Sequence, residues 1–347
     1  MGGSRSLKNG FLSSVLALFA SGAAHAQGSI TVTTFTGPWE IAERECFIDP
    51  FVKQTGAKVI IEPGVSSVTL MKLRQGKGSA GVDVAWMNGG DSERAWDEGL
   101  LDPIDPTKMS NIKNLSDRAV YKIGEQIYAL STGYFALTLL YNTELIDVPP
   151  DSWWSLWDSK YAGKVFSLGP AGSLFTPMMM HLNGVLGGSN SDFSPIVDKF
   201  STLKAAIYYS SSGSLQPAIQ SGEVVLGAYY SNTAWTLIDE GVPVAVANPK
   251  EGLPAADQRL HLVKNSPNKV LAEQFIDYSL SETALNCIAE KMYVGPPLIT
   301  PTLSARAKER MPWGLNGSIE DLYIPDWNEV NSIRQSVTNL WNRRVVQ

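Results

Sequence analysis

The sequence predicts an α/β fold in two lobes that share crossover hinge strands. Three observations carry this. Short apolar, β-branched runs alternate with helical patterns from Ile30 onward, the alternation that builds a parallel sheet packed under helices. The pattern occurs twice, within about 320 residues that follow an N-terminal leader, more than one hydrophobic core usually organises. No Pro/Ser-rich linker or low-complexity tract separates the two occurrences, so strands rather than a tether are expected to pass between the lobes.

Ile30 to Thr36 reads as a strand, closed by the loop Gly37-Pro38. A helix is predicted from about Trp39 to Gln54, with Ile41, Phe47, Phe51 and Val52 on its apolar face. Pro50 interrupts it, and Asp49 is placed to cap a new turn with Pro50 at its first position. Gly56 ends the helix. Lys58 to Glu62 is a second strand, Val68 to Gln75 a short helix, and Val82 to Met87 a nearly all-apolar third strand suited to burial on both faces. In the middle of the chain, strands are predicted at Tyr134 to Tyr141, Lys164 to Leu168, Val224 to Tyr230 and Val242 to Ala247. Helices are predicted near Trp153 to Lys160, Thr176 to Leu186, Phe193 to Ala206 and Thr233 to Glu240. Arg259 to Val263 is one more strand. Helices follow at Val270 to Leu280, Glu282 to Lys291 and Asp326 to Arg344, the last with Val330, Ile333, Val337, Leu340 and Trp341 at helical spacing.

The leader points to export. Arg5 and Lys8 form a basic n-region, Phe11 to Ala20 is too short an apolar run to span a bilayer, and Ala24-His25-Ala26 gives a small–x–small cleavage pattern. Residues 1–26 therefore read as a signal peptide, with the mature chain starting near Gln27 in the periplasm. No Cys follows the cleavage site to take a lipid. Without Arg5 and Lys8 the formal charge moves from −6 to −8, which argues against nucleic acid as a partner and weakly favours cationic ligands. Cys46 and Cys287 are compatible with a disulfide in an oxidising compartment or with two buried thiols.

Motifs for catalysis are missing. The mature chain has His181 and His261 only, and His181 follows Met178-Met179-Met180, the setting of a structural histidine. There is no HExxH or CxxC for zinc, no GxSxG elbow, no GxxxxGK[ST] loop and no GxGxxG after a strand. Neither a metal nor a cofactor is expected.

Ligands of open α/β sheets bind beyond the carboxyl ends of strands. Four such ends carry small or polar residues beside an aromatic: Thr36 to Trp39, Trp86 to Gly90 with Asn88 and Gly89, Gly172-Ser173, and Tyr229-Tyr230-Ser231-Asn232. Glycine lets backbone approach a ligand, and an aromatic face covers an apolar stem or a cation. Trp39, Trp86 and Tyr229 fit a core role equally well. Ser173 and Thr176 precede a helix and are suited to cap it, or to leave its N-terminus to an anionic ligand group.

Several stretches resemble the binding proteins of polyamine-type ABC importers, the spermidine/putrescine-binding-protein-like family. Phe51-Val-Lys-Gln-Thr-Gly-Ala-Lys-Val59, Gly81-Val-Asp83-Val84, Gly99-Leu-Leu-Asp-Pro-Ile104, Tyr128-Ala-Leu, Tyr141-Asn142, Ser152-Trp…Leu156-Trp157-Asp158…Tyr161-Ala-Gly163-Lys164-Val165, Ser221-Gly-Glu223-Val, Pro249-Lys-Glu-Gly252, Ala272…Phe275-Ile-Asp-Tyr278 and Tyr293…Pro296 match in order. The resemblance implies a type II, Venus-flytrap periplasmic-binding-protein fold. Lobe one is expected at 27–135 and 256–297, lobe two at 136–255 and 298–347. It also implies a monomeric periplasmic protein with no chemistry of its own, which captures a small solute and hands it to an inner-membrane ABC permease. Family ligand positions fall at Trp39, Asn88, Tyr230 and Asp257, the last where the family has an ammonium-binding carboxylate. The expected ligand set is thus Thr36, Trp39, Asn88, Gly89, Ser173, Tyr229, Tyr230 and Asp257. Departures bear on the ligand. Ser173 and Thr176 stand where the family has two acids, and Ala255 where it has an aromatic. A buried dication needs paired carboxylates, so a monoamine, a zwitterion or a solute with an acidic group fits at least as well as a polyamine. Two alternatives stay open. The pair Tyr229-Tyr230 resembles that of ferric-ion-binding relatives, although strand alternation turns such neighbours to opposite faces. An enzyme on the same scaffold would need Asp257 or Glu40 as its base.

Overall fold

A computed structural model describes residues 1–2, 28–77 and 81–346; the predicted signal peptide lies almost wholly outside the described residues. Twelve strands alternate with helices: β1 Ser29–Thr34, β2 Lys58–Pro63, β3 Val84–Asn88, β4 Leu101–Asp102, β5 Val120–Ile123, β6 Gln126–Asn142, β7 Val165–Leu168, β8 Ala205–Tyr209, β9 Leu226–Tyr230, β10 Val244–Ala247, β11 Leu253–Val263 and β12 Leu322–Tyr323. Eight of them are hydrogen-bonded in the order β2-β1-β3-β11-β6-β9-β7-β8, with β4 and β12 attached to β11 and β5 and β10 to β6.

Strand β6 is the link between two sheets. Its residues Leu130 to Ala136 pair antiparallel with β11, whereas Leu137 to Tyr141 pair with β9 and Leu139 to Asn142 with β10. The changeover at Ala136/Leu137 divides the molecule into a first half built on β2-β1-β3-β11 and a second built on β9-β7-β8. Within each half β1/β2, β1/β3, β7/β8 and β7/β9 run parallel, as strands joined by helical crossovers must. This is the two-lobe α/β fold with crossover strands that the sequence predicts. The interlobe strands are longer than the sequence patterns indicate: β6 begins at Gln126 and β11 at Leu253. The helix predicted near Phe193 to Ala206 is shorter than its pattern, because it ends at Ser201 and Ala205–Tyr209 forms β8.

Each half has its own aromatic core. In the first, Trp86 packs on Phe47 and Phe275, and Phe51 meets Phe275 edge-on at 5.1 Å. In the second, Trp341 of the C-terminal helix Trp327–Arg344 sits among Phe175, Phe200 and Tyr208 at 4.9 to 5.1 Å. The Trp39–Gln54 prediction resolves into helix Pro38–Glu43, a π-helical stretch Arg44–Ile48 and helix Asp49–Thr55. Pro50 has no N–H to give to the residue one turn back, and the π turn just before it widens the helix. Cys46 of that stretch is bonded to Cys287 of helix Glu282–Met292, with Cα atoms 5.5 Å apart, which settles the choice between disulfide and free thiols. Among the described residues no helix is long and apolar enough to cross a membrane.

Candidate functional site: the interlobe cleft

A cavity of about 660 Å³ opens between the two halves, within the size range of small-molecule sites. The first half contributes Phe35, Thr36 and Trp39 from the β1 end, Ser66 and Ser67 from the start of helix Ser66–Gln75, Asn88 and Gly89 from the β3 end, and Gln258 from β11. The second contributes Ser173, Ser210 to Gly213, and Tyr230, Asn232 and Thr233 from the β9 end. Phe135 enters from β6 beside the changeover, and Arg334 reaches in from the C-terminal helix. Carboxyl ends of strands from both sheets thus converge, as the open-sheet rule requires.

Four aromatic rings form the apolar part. Phe35 and Trp39 lie 6.2 Å apart and tilted; Phe135 and Tyr230 lie 6.1 Å apart in the same manner. The Tyr230 hydroxyl shares a 3.0 Å hydrogen bond with Ser173 Oγ, and burial pushes its pKa up, so it remains a neutral phenol. The polar part is made of hydroxyls and amides. Asn88 N–H donates to Ser66 Oγ at 3.1 Å, while its side-chain Oδ1 is buried with no partner. Gln258 faces Asn88 across the β3/β11 pair.

Two adjacent glycines hold the β3 end in place. A Cβ on Gly89 would lie 2.3 Å from the Trp327 indole, so only glycine lets the C-terminal helix pack there. Gly90 has φ 93°, a conformation that penalises side chains. Its N–H donates to Glu93 Oε2 at 2.6 Å, and its carbonyl accepts from Asn331 Nδ2 at 2.8 Å.

Of the sequence-predicted residues, Thr36, Trp39, Asn88, Gly89, Ser173 and Tyr230 line the cavity together. Tyr229 and Asp257 do not. Strand alternation turns Tyr229 away from Tyr230; it is fully buried, donates to the Ser212 carbonyl and packs edge-on against Phe166. The two tyrosines therefore do not converge on a cation, and among the described residues no cluster of three or more His, Cys, Asp or Glu side chains is placed to hold one. Asp257 is fully buried on the far face of β11, where Arg259 Nε donates to both its oxygens at 2.9 and 3.1 Å. Arg259 also pairs with Glu93 and stacks its guanidinium 3.4 Å over the Tyr121 ring. Burial raises the Asp257 pKa against the pull of Arg259. For Glu93 burial pushes up too, but Arg259 and the Gly90 N–H outweigh it and hold the carboxylate ionised. Asp257 and Arg259 are two apart on one strand, hence on one face, and that spacing is the sequence signal for an internal ion pair. Gln258, between them, takes the cleft face.

The sequence patterns also pass over Arg334. Trp327, Val330, Val337 and Trp341 are the buried stripe of the C-terminal helix, and Arg334 falls in register with them, four residues after Val330 and three before Val337. The stripe rule leaves that position to an apolar residue, so a cation in register with the stripe is the signal that the sequence carries. The remaining histidines are structural. His181 bonds to the Glu251 carbonyl at 2.7 Å, and His261, buried, bonds to Ser92 Oγ and the Ala85 carbonyl at 2.7 and 2.9 Å.

Residues 47–309 match the family described as bacterial extracellular solute-binding protein. The gamma-aminobutyric acid-binding protein of Pseudomonas aeruginosa is 24% identical over 292 residues, covering 82% of this chain and 81% of its own length. The spermidine/putrescine-binding periplasmic protein of Escherichia coli K12 is 28% identical over the same shares. A solved structure of an ABC transporter protein from Clostridium perfringens superposes with a TM-score of 0.78 at 21% identity, covering 91% of this chain and 99% of that one. The first two are named as binding proteins, and the family that matches is one of solute-binding proteins, not of enzymes. With the match covering residues 47–309, well over half of its length, the chain belongs to the bacterial extracellular solute-binding proteins.

Proposed function

We propose that the protein is the periplasmic substrate-binding component of an ABC importer, and that it captures a small amine-bearing organic solute in the interlobe cleft. The observation that carries this reading is the cavity itself, which draws aromatic rings and unpartnered polar groups from both halves. A solute bridging the halves stabilises their closed arrangement by its differential contacts, and a permease can read that state. Two relatives are named for amines, one for gamma-aminobutyric acid and one for spermidine and putrescine. The rings of Phe35, Trp39, Phe135 and Tyr230 suit an ammonium group or its alkyl chain, each such contact contributing about 0.5–2 kcal/mol. Thr36, Trp39, Asn88, Gly89, Ser173 and Tyr230 are the ligand contacts, joined by Gln258 and Arg334.

In this reading residues 1–26 are removed on export and the mature protein acts as a monomer, without nucleic acid, metal or cofactor. The lobes comprise 27–135 with 256–297, and 136–255 with 298–347. The test is calorimetric titration of the mature protein with monoamines, diamines and amino acids. One of them is expected to bind at micromolar concentration or below, with about tenfold loss in Trp39→Ala. If no amine binds, or if the bound solute is chemically converted, the reading is wrong.

A further inference from the structure

Charge in the cleft is distributed in a way that narrows the solute. Asp91 carries the only carboxylate among the described cavity-lining residues, and it is hydrogen-bonded to Arg94. The third charged group is Arg334, which makes no side-chain hydrogen bond or ion pair among the described residues; Asp91 and Arg94 act on it only through space, with opposite signs. Its Nε is buried without a hydrogen-bond partner, while its acidic neighbour Asp91 is already engaged. The cleft wall thus has a net charge of one positive unit. Buried charge is costly unless paired, and a guanidinium is shaped to take a carboxylate through two parallel hydrogen bonds. In the same cavity Asn88 Oδ1 is a buried acceptor that lacks a donor. One cavity therefore holds an unmet cation and an unmet acceptor beside four aromatic faces.

We propose that Arg334 is the specificity-determining residue of the cleft and that the solute is an amino-carboxylate. Its carboxylate is held by Arg334, and its ammonium donates to Asn88 Oδ1 among the rings. This rests on the amine-solute reading above and deepens it. A diamine of the same length brings two positive charges to a wall that is already positive and offers no free carboxylate. An amino acid brings one charge of each sign, and each meets its complement. Burial depresses the Arg334 pKa, with Asp91 opposing the shift, and an incoming carboxylate relieves that cost.

The experiment compares four probes of one chain length, 4-aminobutyrate, 1,4-diaminobutane, butylamine and butyrate, on the wild-type protein and on Arg334→Gln, by calorimetry and thermal shift. Wild type is expected to bind 4-aminobutyrate at least tenfold more tightly than 1,4-diaminobutane. Arg334→Gln is expected to erase that preference while butylamine binds at least as tightly as to the wild type. Shorter and longer ω-amino acids, 3-aminopropionate and 5-aminopentanoate, guard against a mismatch of length. The wild-type comparison stands even if the variant folds poorly. Tighter binding of the diamine than of every amino acid overturns the inference and leaves the amine-solute reading intact. Binding of butyrate alone supports the role of Arg334 and overturns the amine reading. Binding of no probe overturns both.

Discussion

At the scale of single residues, small side chains decide what the cleft can be. Gly89→Ala would drive a methyl group into the Trp327 indole. Overpacking of this kind costs about 1–3 kcal/mol, which urea unfolding would measure, and the displaced β3 end should weaken solute binding as well. His261 is the internal pH probe. Burial lowers its pKa from 6.5 to about 4, so the unfolded chain binds the proton first as pH falls. The stability this ring contributes is present above pH 6.5 and is lost as pH falls through that value toward 4, by about 3 kcal/mol in all. Glu43 acts in the opposite sense, because burial raises its carboxyl pKa and its contribution is lost as pH rises. Urea midpoints at pH 7 and pH 5 for wild type and His261→Gln separate the two, and the variant should lose less on acidification. Much of the site is legible at this scale. Strand ends with Gly, Ser, Asn and aromatics point to six of the eight expected contacts as cavity-lining. Asp257 lies elsewhere than the family resemblance implies, because Arg259, two residues on, claims its carboxylate for the interior.

At the scale of elements, the buried ion cluster and the disulfide brace the first half. Arg259 joins Asp257 on its own strand to Glu93 on helix Asp91–Asp97, and Glu93 in turn fixes the Gly90 N–H and accepts from the Tyr128 hydroxyl at 3.0 Å. Arg259→Met should cost about 3–5 kcal/mol, since it leaves carboxylates buried without their partner; chemical denaturation checks this. The Cys46–Cys287 bond closes a loop across 241 positions. Replacing both cysteines by alanine should cost about 2–4 kcal/mol, with the same fall when the wild type is scanned in a reducing agent. Elements with a clear period are readable from the chain, among them β3, β9 and the helix Glu282–Met292. The strand β8 and helix Ser212–Gln220 are not. Ala205 and Ala206 extend a helical pattern into β8, whose residues pair with β7 only through tertiary contact. The helix contains Pro217 and starts in a Ser/Gly run, both of which argue against helix locally. The N-terminal parts of β6 and β11 carry Gln, Ser, Thr, Gly and Pro residues, and neighbouring strands rather than intrinsic propensity hold them extended.

At the scale of the whole molecule, the cleft is a hinge product. Its walls belong to different sheets, so occupancy and closure are coupled. Small-angle scattering with and without the bound amine should show a smaller radius of gyration in the bound state, and a ligand at 100 times its dissociation constant should add about 2.7 kcal/mol to stability. The two-lobe organisation is legible because the strand–helix rhythm recurs without a linker. No local pattern in the chain marks the seam, since β6 is continuous through Ala136/Leu137, where its hydrogen-bonding partners change.

That unbroken ribbon limits how the gene could be cut. A fragment ending at the seam would keep the stretch that pairs with β11 but lose β11 itself, which lies more than a hundred residues downstream in the sequence. The complementary piece would keep the pairing of β6 with β9 and β10 but would carry β11 cut off from β3 and from the stretch of β6 before the seam. The first sheet would be finished in neither piece, so the N-terminal piece expressed alone should stay unfolded and recover order only when mixed with its complement.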